Sequence, residues 1–411
     1  MRKILMIGAG IGQHYLANYI KSQGHFLIAV SLPGDYPVLK IADKVYFEDI
    51  FNKEKILDIA KTECIDAVIS DQNDLMMPTV AYVAENLKLP GVSSETINNY
   101  CNKNKFREIC ERIGVPVPAH AQCTSAMVPD SMKAIDFPWI VKPADSQSSV
   151  GVSKVNNVQE CVKAVDFALR KSRTQEAIIE DFFEGVEVVV EGLIVKGKYY
   201  NLGFADRKYF NLENLSIPSQ TVFPSILPKH ILDQIVACEE KLTEFNKPDF
   251  ALVHSEYIVN PKTEKFIVVE SALRGGGVYT SSHLIPLYTG IDVYKILVAC
   301  ALGNEINMEE ELRKKTKRAS GYVCFYLPEG TVESVDGSDE VKNLPFVKMA
   351  HLEDILVGGN TLPITHKGQR LGPIIIEAQN RSILEDNIEK VKQILKIKVK
   401  NKDSLTNIIW D

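Results

Sequence analysis

The sequence predicts a mixed α/β and α+β fold: an open parallel sheet first, antiparallel sheets after it. Three observations carry this. From Lys3 to Leu87, short apolar runs alternate with helical patterns, as in a parallel α/β layer. From Phe250 to Ala272, two β-branched runs flank Asn260-Pro261-Lys262-Thr263, which is turn chemistry, so they form a hairpin. Beyond Ala319, short strands broken by glycine turns close on one amphipathic helix.

The first unit spans residues 1–98. Lys3–Ile7 is a strand, Gly8-Ala9-Gly10-Ile11-Gly12 a tight turn, and Tyr15–Ser22 a helix that ends at Gly24. His25–Ser31 and Asp66–Ser70 are further strands, and Lys53–Lys61 and Met77–Leu87 are helices. The glycine turn invites a dinucleotide reading, which is discounted. GxGxxG needs glycine at position 13, where Gln13 stands, and the second strand ends without an acid for a ribose 2′-hydroxyl. A structural turn or one wall of a substrate cleft is left.

The middle unit spans 99–311, with a subdomain over about 115–184. Asn102–Ile113 reads as a helix: Phe106, Ile109, Cys110 and Ile113 share a face, Gly114 ends it, and Pro116 and Pro118 prevent continuation. Lys103 in its first turn works against the helix dipole, so it is either solvated or aimed at an anion. Trp139–Pro143 is a buried-type strand bearing Lys142. The loop after it carries Ser146, Ser148, Ser149 and Gly151, and Val152–Val155 resumes as strand. Such a lid can wrap a phosphate with amides and hydroxyls, although a plain serine-rich hairpin loop fits too. No GK[ST] is present, so it is not a Walker A loop. Val158–Leu169 is helical and Ala177–Glu180 a strand. Phe182 and Phe183 lead through Glu184–Glu187 to the strand Val188–Val195 and the turn Lys196–Lys198. An apolar connector bearing carboxylates suits a nucleotide cleft, and ordinary core would read alike. Asp292 caps a helix that runs to Leu302.

The hairpin carries the most telling charges. With its turn near Lys262 and Thr263, Glu256 falls opposite Val269 or Glu270. Two neighbouring carboxylates repel across an antiparallel pair. A divalent cation between them reverses the sign, and oxygen-only ligands suit Mg²⁺. Arg274 follows, nothing else nearby offsetting the repulsion. Then come Gly275, Gly276 and Gly277, backbone that can approach a ligand closely. A surface hairpin with solvated glutamates has the same pattern. His254 shares the face of Glu256, as a substrate contact or as a satisfied core residue.

The last unit spans 312–411. Ala319–Leu327, Thr331–Val335, Asp354–Val357 and Ile374–Ala378 read as strands, with turns at 358–360 and 368–372. Ser382 and Glu385 read as a capping box before a helix with Ile388, Val391 and Leu395 on one face. Lys390–Lys402 reads as a solvated helix face and tail.

Composition bounds the function. The 411 residues suffice for two or three domains. A net charge of −6 gives no electrostatic footprint for nucleic acid. No apolar run approaches the roughly 18 residues of a membrane span, and MRKILMIGAGIG lacks a cleavage site, so neither a membrane anchor nor a signal peptide is expected. Eight scattered cysteines without a CxxC pair argue for reduced thiols in a cytoplasm.

In order along residues 1 to about 305, these pieces resemble the ATP-grasp superfamily of ligases. The carriers are Lys103 before Gly114-Val115-Pro116-Val117-Pro118, Lys142 in IVKPA, Glu180 with Phe182 and Phe183, Glu187 in EGVEVVVE, Glu256 in HSE, and Glu270 with Arg274 in ESALR. The resemblance implies ATP and Mg²⁺ as cofactors, held between two antiparallel sheets. Lys103 and Lys142 would hold phosphates under the 146–151 loop, residues 180–183 adenine, Glu187 the ribose, and Glu256 and Glu270 the metal. A substrate carboxylate would form an acyl phosphate, which an amine displaces. Many members carry asparagine two residues after the second glutamate, where Ala272 stands. In that the ESALR string is similar to bacterial L-amino acid ligases, which make dipeptides. Small-molecule carboxylate and amine substrates are therefore expected, in an enzyme that could be a homodimer. A carbamoyl-phosphate-synthase-like or purine-type activity is the alternative. A nucleotide-binding module without turnover is another, and a dinucleotide-dependent oxidoreductase a remote third.

Overall fold

The computed structural model describes all residues except 148, 149, 213–216, 317 and 403. The chain opens with β1 (Lys3–Ile7), α1 (Ile11–Ser22), β2 (Phe26–Ser31), β3 (Lys44–Phe47), α2 (Lys53–Glu63), β4 (Ala67–Ile69) and α3 (Met77–Leu87). The strands form a parallel sheet in the order β3-β2-β1-β4. Its inner strands are almost wholly buried, because helices cover both faces of such a layer. Helix α1 starts four residues before its apolar period shows. Gln13 Oε1 accepts from the Gly10 amide at 3.1 Å, and its Nε2 donates to the Asp71 carbonyl at 2.5 Å. Position 13 thus needs a long amide to tie the glycine turn to the end of β4. The sequence reading missed β3, an edge strand that carries no buried residue.

Two helices follow, α4 (Ser94–Cys101) and α5 (Lys103–Ile113), the latter capped by the Asn102 side chain, which accepts from the Lys105 amide. The small sheet holds β5 (His120–Cys123), β6 (Trp139–Pro143), β7 (Ser153–Val155) and, after α6 (Val158–Lys171), β8 (Ala177–Asp181). It is antiparallel in the order β5-β8-β6-β7, and Cys161, Val165 and Ala168 of α6 pack on Trp139, Val141 and Ile179.

The large sheet starts with β9 (Val186–Val195), β10 (Lys198–Tyr209) and β11 (Pro218–Phe223), then, after α7 (Lys229–Asn246), β12 (Phe250–Val259) and β13 (Phe266–Ala272). Helices α8 (Ile285–Thr289), α9 (Val293–Ala301) and α10 (Met308–Arg313) lead to β14 (Ala319–Phe325), β15 (Gly330–Asp336), α11 (Ser338–Lys342), β16 (Val347–Ala350), β17 (Asn360–Thr361) and β18 (Leu371–Ala378). The chain closes with α12 (Arg381–Ile394), β19 (Lys396–Asn401) and β20 (Ser404–Asn407). Eight strands pair in the order β13-β12-β9-β10-β11-β14-β18-β16, so the large sheet runs through the boundary at 312. One face packs on α5 and α7 through Val190, Tyr257 and Leu242. The other packs on α1 and α9 through Leu193, Leu252, Leu16 and Leu297. A separate sheet, β17-β15-β19-β20, covers the end of the chain.

Three expectations for the last unit are corrected. Residues 354–357 form no strand; β16 takes the edge beside β18, while Leu356 and Val357 are exposed. Asn380 caps α12, its side chain accepting from the Ile383 amide, two residues before the expected Ser382. The lysine-rich end is not a solvated tail. Its lysines alternate with buried Ile397 and Val399, a strand period hidden under a charge run. No helix of the described residues is long and apolar enough to cross a membrane. All eight cysteines are free thiols.

Candidate active site

Glu256 on β12 and Glu270 on β13 are direct register partners, with a bulge just after Glu256. Their surroundings differ. Arg207 on β10 donates through Nη1 to both Glu256 and Glu187. Burial works against the charge of Glu256, but Arg207 and His254 hold its carboxyl well below the usual range. Glu270 makes no hydrogen bond or ion pair among the described residues, and burial and its neighbour Glu256 push its pKa up, opposed by Lys103. A carboxylate with no partner beside a charged one fits a cation. No group of three or more His, Cys, Asp and Glu residues arranged for a metal occurs among the described residues. Two carboxylates suit Mg²⁺, which keeps waters and takes substrate phosphate oxygens for the rest of its shell.

His254 is buried between carboxylates. Its Nδ1 faces Glu191 on β9 and its Nε2 lies 3.5 Å from Glu256. Burial alone would lower its pKa; the Glu191 carboxylate reverses this and raises it to about 9. The imidazolium therefore orients Glu256. The glycines after Arg274 have a packing reason. A Cβ on Gly276 would stand 2.4 Å from Glu191 Oε1, and one on Gly275 would stand 1.8 Å from Ser281 Oγ. Only Gly277 faces open space.

Arg274 reaches the first layer. Its Nε and Nη2 bind Asp74 at 3.1 and 2.8 Å, a fork on one carboxylate. Beside it, buried Asp71 accepts from the Gly275 amide at 2.8 Å and from the Tyr294 hydroxyl at 2.9 Å, and burial raises its pKa to about 6. The loop after β4 thus meets the strand end that carries Arg274, as expected at the carboxyl edge of a parallel sheet.

The lysines come from the small sheet and from α5. Lys103 Nζ donates to the Ser146 carbonyl at 2.6 Å. Burial lowers its pKa, with Glu270 pulling the other way. A cleft of about 610 Å³ joins Asp74, Lys103, Ser146, Gln147, Glu270 and Ala272. Lys142 lies 2.6 Å from Glu180, whose other oxygen accepts from Arg107 at 2.7 Å. Burial opposes that carboxylate's charge, yet the two cations bring its pKa down to about 2. Glu180 is therefore a bridge between cations at the start of the 180–183 segment. The Lys154 ammonium lies 3.6 Å from the centroid of Phe182, and Phe183 is half-buried. Glu187, between Arg207 and the Tyr209 hydroxyl, is pushed up to about 7, first by burial and then by Glu256. Gly151 sits at φ +78°, where a Cβ would come within 2.6 Å of Pro143. Ser148 and Ser149 lie outside the described residues.

The fold thus gathers Lys103, Glu187, His254, Glu256, Glu270 and Arg274 from six positions spread over the middle unit. The sequence reading missed Arg207, Glu191, Asp71, Asp74 and Arg107, and so wrongly left Arg274 as the sole offset to the glutamates. The polar run Asp71-Gln72-Asn73-Asp74 straight after an apolar strand was a usable signal. Arg207 carried none, since the stretch 198–223 shows only a weak alternation.

Comparisons with known proteins bear on the fold and on two segments of the chain. Residues 109–204 match the family model described as D-ala D-ala ligase C-terminus, and residues 323–400 match L-amino acid ligase C-terminal domain 2. The crystal structure of L-amino acid ligase from Bacillus licheniformis superposes with a TM-score of 0.81 at 21% identity, covering 98% of this chain and 99% of that one. Alanine--anticapsin ligase of Bacillus subtilis is 25% identical over 285 residues, 63% of this chain and 59% of that protein. A carbamoyl phosphate synthase large chain of Clostridium botulinum is 25% identical over 407 residues, 90% of this chain but only 37% of that protein. Fold, the two segment matches and the order of the gathered residues together give this chain its likeness to the ATP-grasp ligases, the L-amino acid ligases among them.

Proposed function

We propose that the chain joins a carboxylate, that of an amino acid, to an amine at the expense of ATP, releasing ADP and phosphate. The observation that carries this is the register pairing of Glu256 with Glu270, one carboxylate neutralised and the other without a partner, beside Lys103 and Arg274. Mg²⁺ bound there would neutralise the phosphate oxygens between which charge shifts. Lys103 and Lys142 hold the phosphates, and the 146–151 loop closes over them. Arg274, held by Asp74 and the Gly275 carbonyl, supplies positive charge beside the reacting carboxylate. A carboxylate oxygen attacks the γ-phosphorus, the bridging bond to ADP breaks, and an acyl phosphate forms. The amine nitrogen, as the free base, then bonds to the acyl carbon, phosphate leaves with the C–O electron pair, and the nitrogen's proton passes to the departing phosphate. Positioning and charge neutralisation account for the acceleration.

The experiment is phosphate release with ATP and Mg²⁺ over a panel of amino acids, singly and in pairs. Release that needs two amino acids, with a dipeptide in the products, is expected. Release that needs bicarbonate instead would favour the carbamoyl-phosphate-synthase-like reading, which the 90% coverage by such a chain supports. MgATP binding without release under any condition would leave a nucleotide-binding module. The same reading carries a cytoplasmic enzyme with a homodimer as its assembly, to be weighed by light scattering.

A further inference from the structure

The face of the large sheet that carries Glu256 continues past Arg207 into a patch the reaction above does not use. Arg207, Thr221 and Tyr322 are register partners across β10, β11 and β14, so their side chains stand in one row on one face. Ser219, two residues before Thr221, is the extra residue of a bulge in β11 opposite Lys208 and Tyr209. The hydroxyl of Ser219 and the Nε of Arg207 are buried and have no partner among the described residues, and the buried Thr221 hydroxyl has only the Tyr322 hydroxyl beside it. Ser219 is 0% exposed and Thr221 2%. Buried polar atoms are normally satisfied, so orphans gathered on neighbouring strands need a reason.

A cation is aimed at the same row from the last unit. Arg370 Nη1 donates to the Pro218 carbonyl at 2.8 Å, and its guanidinium carbon lies 6.0 Å from the centroid of Tyr322. Among the described residues no carboxylate lies within ion-pair distance of Arg370. The turn that presents it is braced. Gln369 Oε1 accepts from the amides of Thr365 and His366 at 2.8 and 3.1 Å, and its Nε2 donates to the Pro363 carbonyl at 2.7 Å. The patch thus holds donors left over once Arg207 has met Glu187 and Glu256, and one cation, Arg370, with a carbonyl but no carboxylate to meet.

We propose that Arg370, Ser219, Thr221 and the Nε side of Arg207 form an oxyanion subsite for a reactant, beside the metal carboxylates. This rests on the ligase reading and deepens it. The oxyanion is a planar carboxylate or a phosphate oxygen. The carboxylate source is the free carboxylate of the amino acid that supplies the amine, which must be held while the other carboxylate is activated. A guanidinium with two flanking hydroxyls matches a carboxylate's in-plane acceptors.

The test measures binding, so it stands apart from turnover. Ligand-detected NMR in the presence of MgADP follows the standard L-amino acids and their α-carboxamides on the wild type, Arg370→Met, Arg370→Lys and Thr221→Val. Calorimetry follows MgADP alone. For a carboxylate, an amino acid that binds the wild type loses about tenfold in Arg370→Met and several-fold in Thr221→Val, while its amide binds all proteins alike. For a phosphate, MgADP affinity drops by similar factors and amino acids are untouched. Partial recovery in Arg370→Lys separates charge from folding. If the variants bind both ligand classes as the wild type does, or if amino acids fail to bind the wild type and MgADP affinity is unchanged, the subsite is overturned. Phosphate release on the panel judges the ligase reading separately.

Discussion

Glu256 and Glu270 look alike in the sequence and are not equivalent in the fold. Arg207 and His254 neutralise Glu256, whereas Glu270 stands beside it unpaired. Either Glu→Gln change should remove most Mg²⁺-dependent phosphate release. Stability should split. Glu270→Gln relieves a like-charge cross-strand pair and should gain up to about 1 kcal/mol without metal. Glu256→Gln strips Arg207 and His254 of their shared acceptor and should cost roughly 1.5–3 kcal/mol. Urea unfolding of both variants checks this, and equal shifts would contradict it. Lys142→Ala should weaken ATP binding more than about tenfold by calorimetry, and should also lose acid resistance, because it leaves Glu180 with Arg107 alone. His254 gives a pH signature. Its folded pKa, about 9, lies above the ordinary 6.5, so its contribution is complete below pH 6.5 and lost as pH rises through 9. Stability of the wild type should fall across that window, and His254→Gln should flatten the fall.

At the scale of elements, the loop between β6 and β7 bridges units. Gln147 Nε2 donates to Asn73 Oδ1 at 3.0 Å, and Ser146 receives Lys103. Amide exchange over 146–151 should slow on adding ATP, as for a lid that closes over its substrate; identical exchange in both states would refute this. Elements with strong periods were legible: α3, β6 and β13's hairpin partner β12 fall where the pattern puts them. The failures have a common cause. Residues 354–357 are apolar without a partner strand, and β19 hides its period under lysines, so pairing and not local pattern decided both.

At the scale of the molecule, the large sheet ignores the unit boundary. β14 pairs with β11 over Gln220–Phe223, and Arg381 of α12 donates to Asp206 and to the Val222 and Pro224 carbonyls. A chain cut after residue 311 would bare β11 as an open edge and lose the apolar face around Phe325 and Ile376. Such a fragment should aggregate or lack a cooperative thermal transition by circular dichroism, and a soluble, cooperatively folded 1–311 would show that the last unit is dispensable.

The sequence by itself determined what is local: the alternation of the first layer, the hairpin that pairs Glu256 with Glu270, and the helix that starts at Lys103. These follow from side-chain period and turn chemistry within about twenty residues. Only the tertiary structure decided which charges neutralise which. Arg207 meets Glu256 across 49 residues, Arg107 meets Glu180 across 73, and Arg274 meets Asp74 across 200. Ion pairs between strands depend on sheet order and facing, which no local pattern encodes.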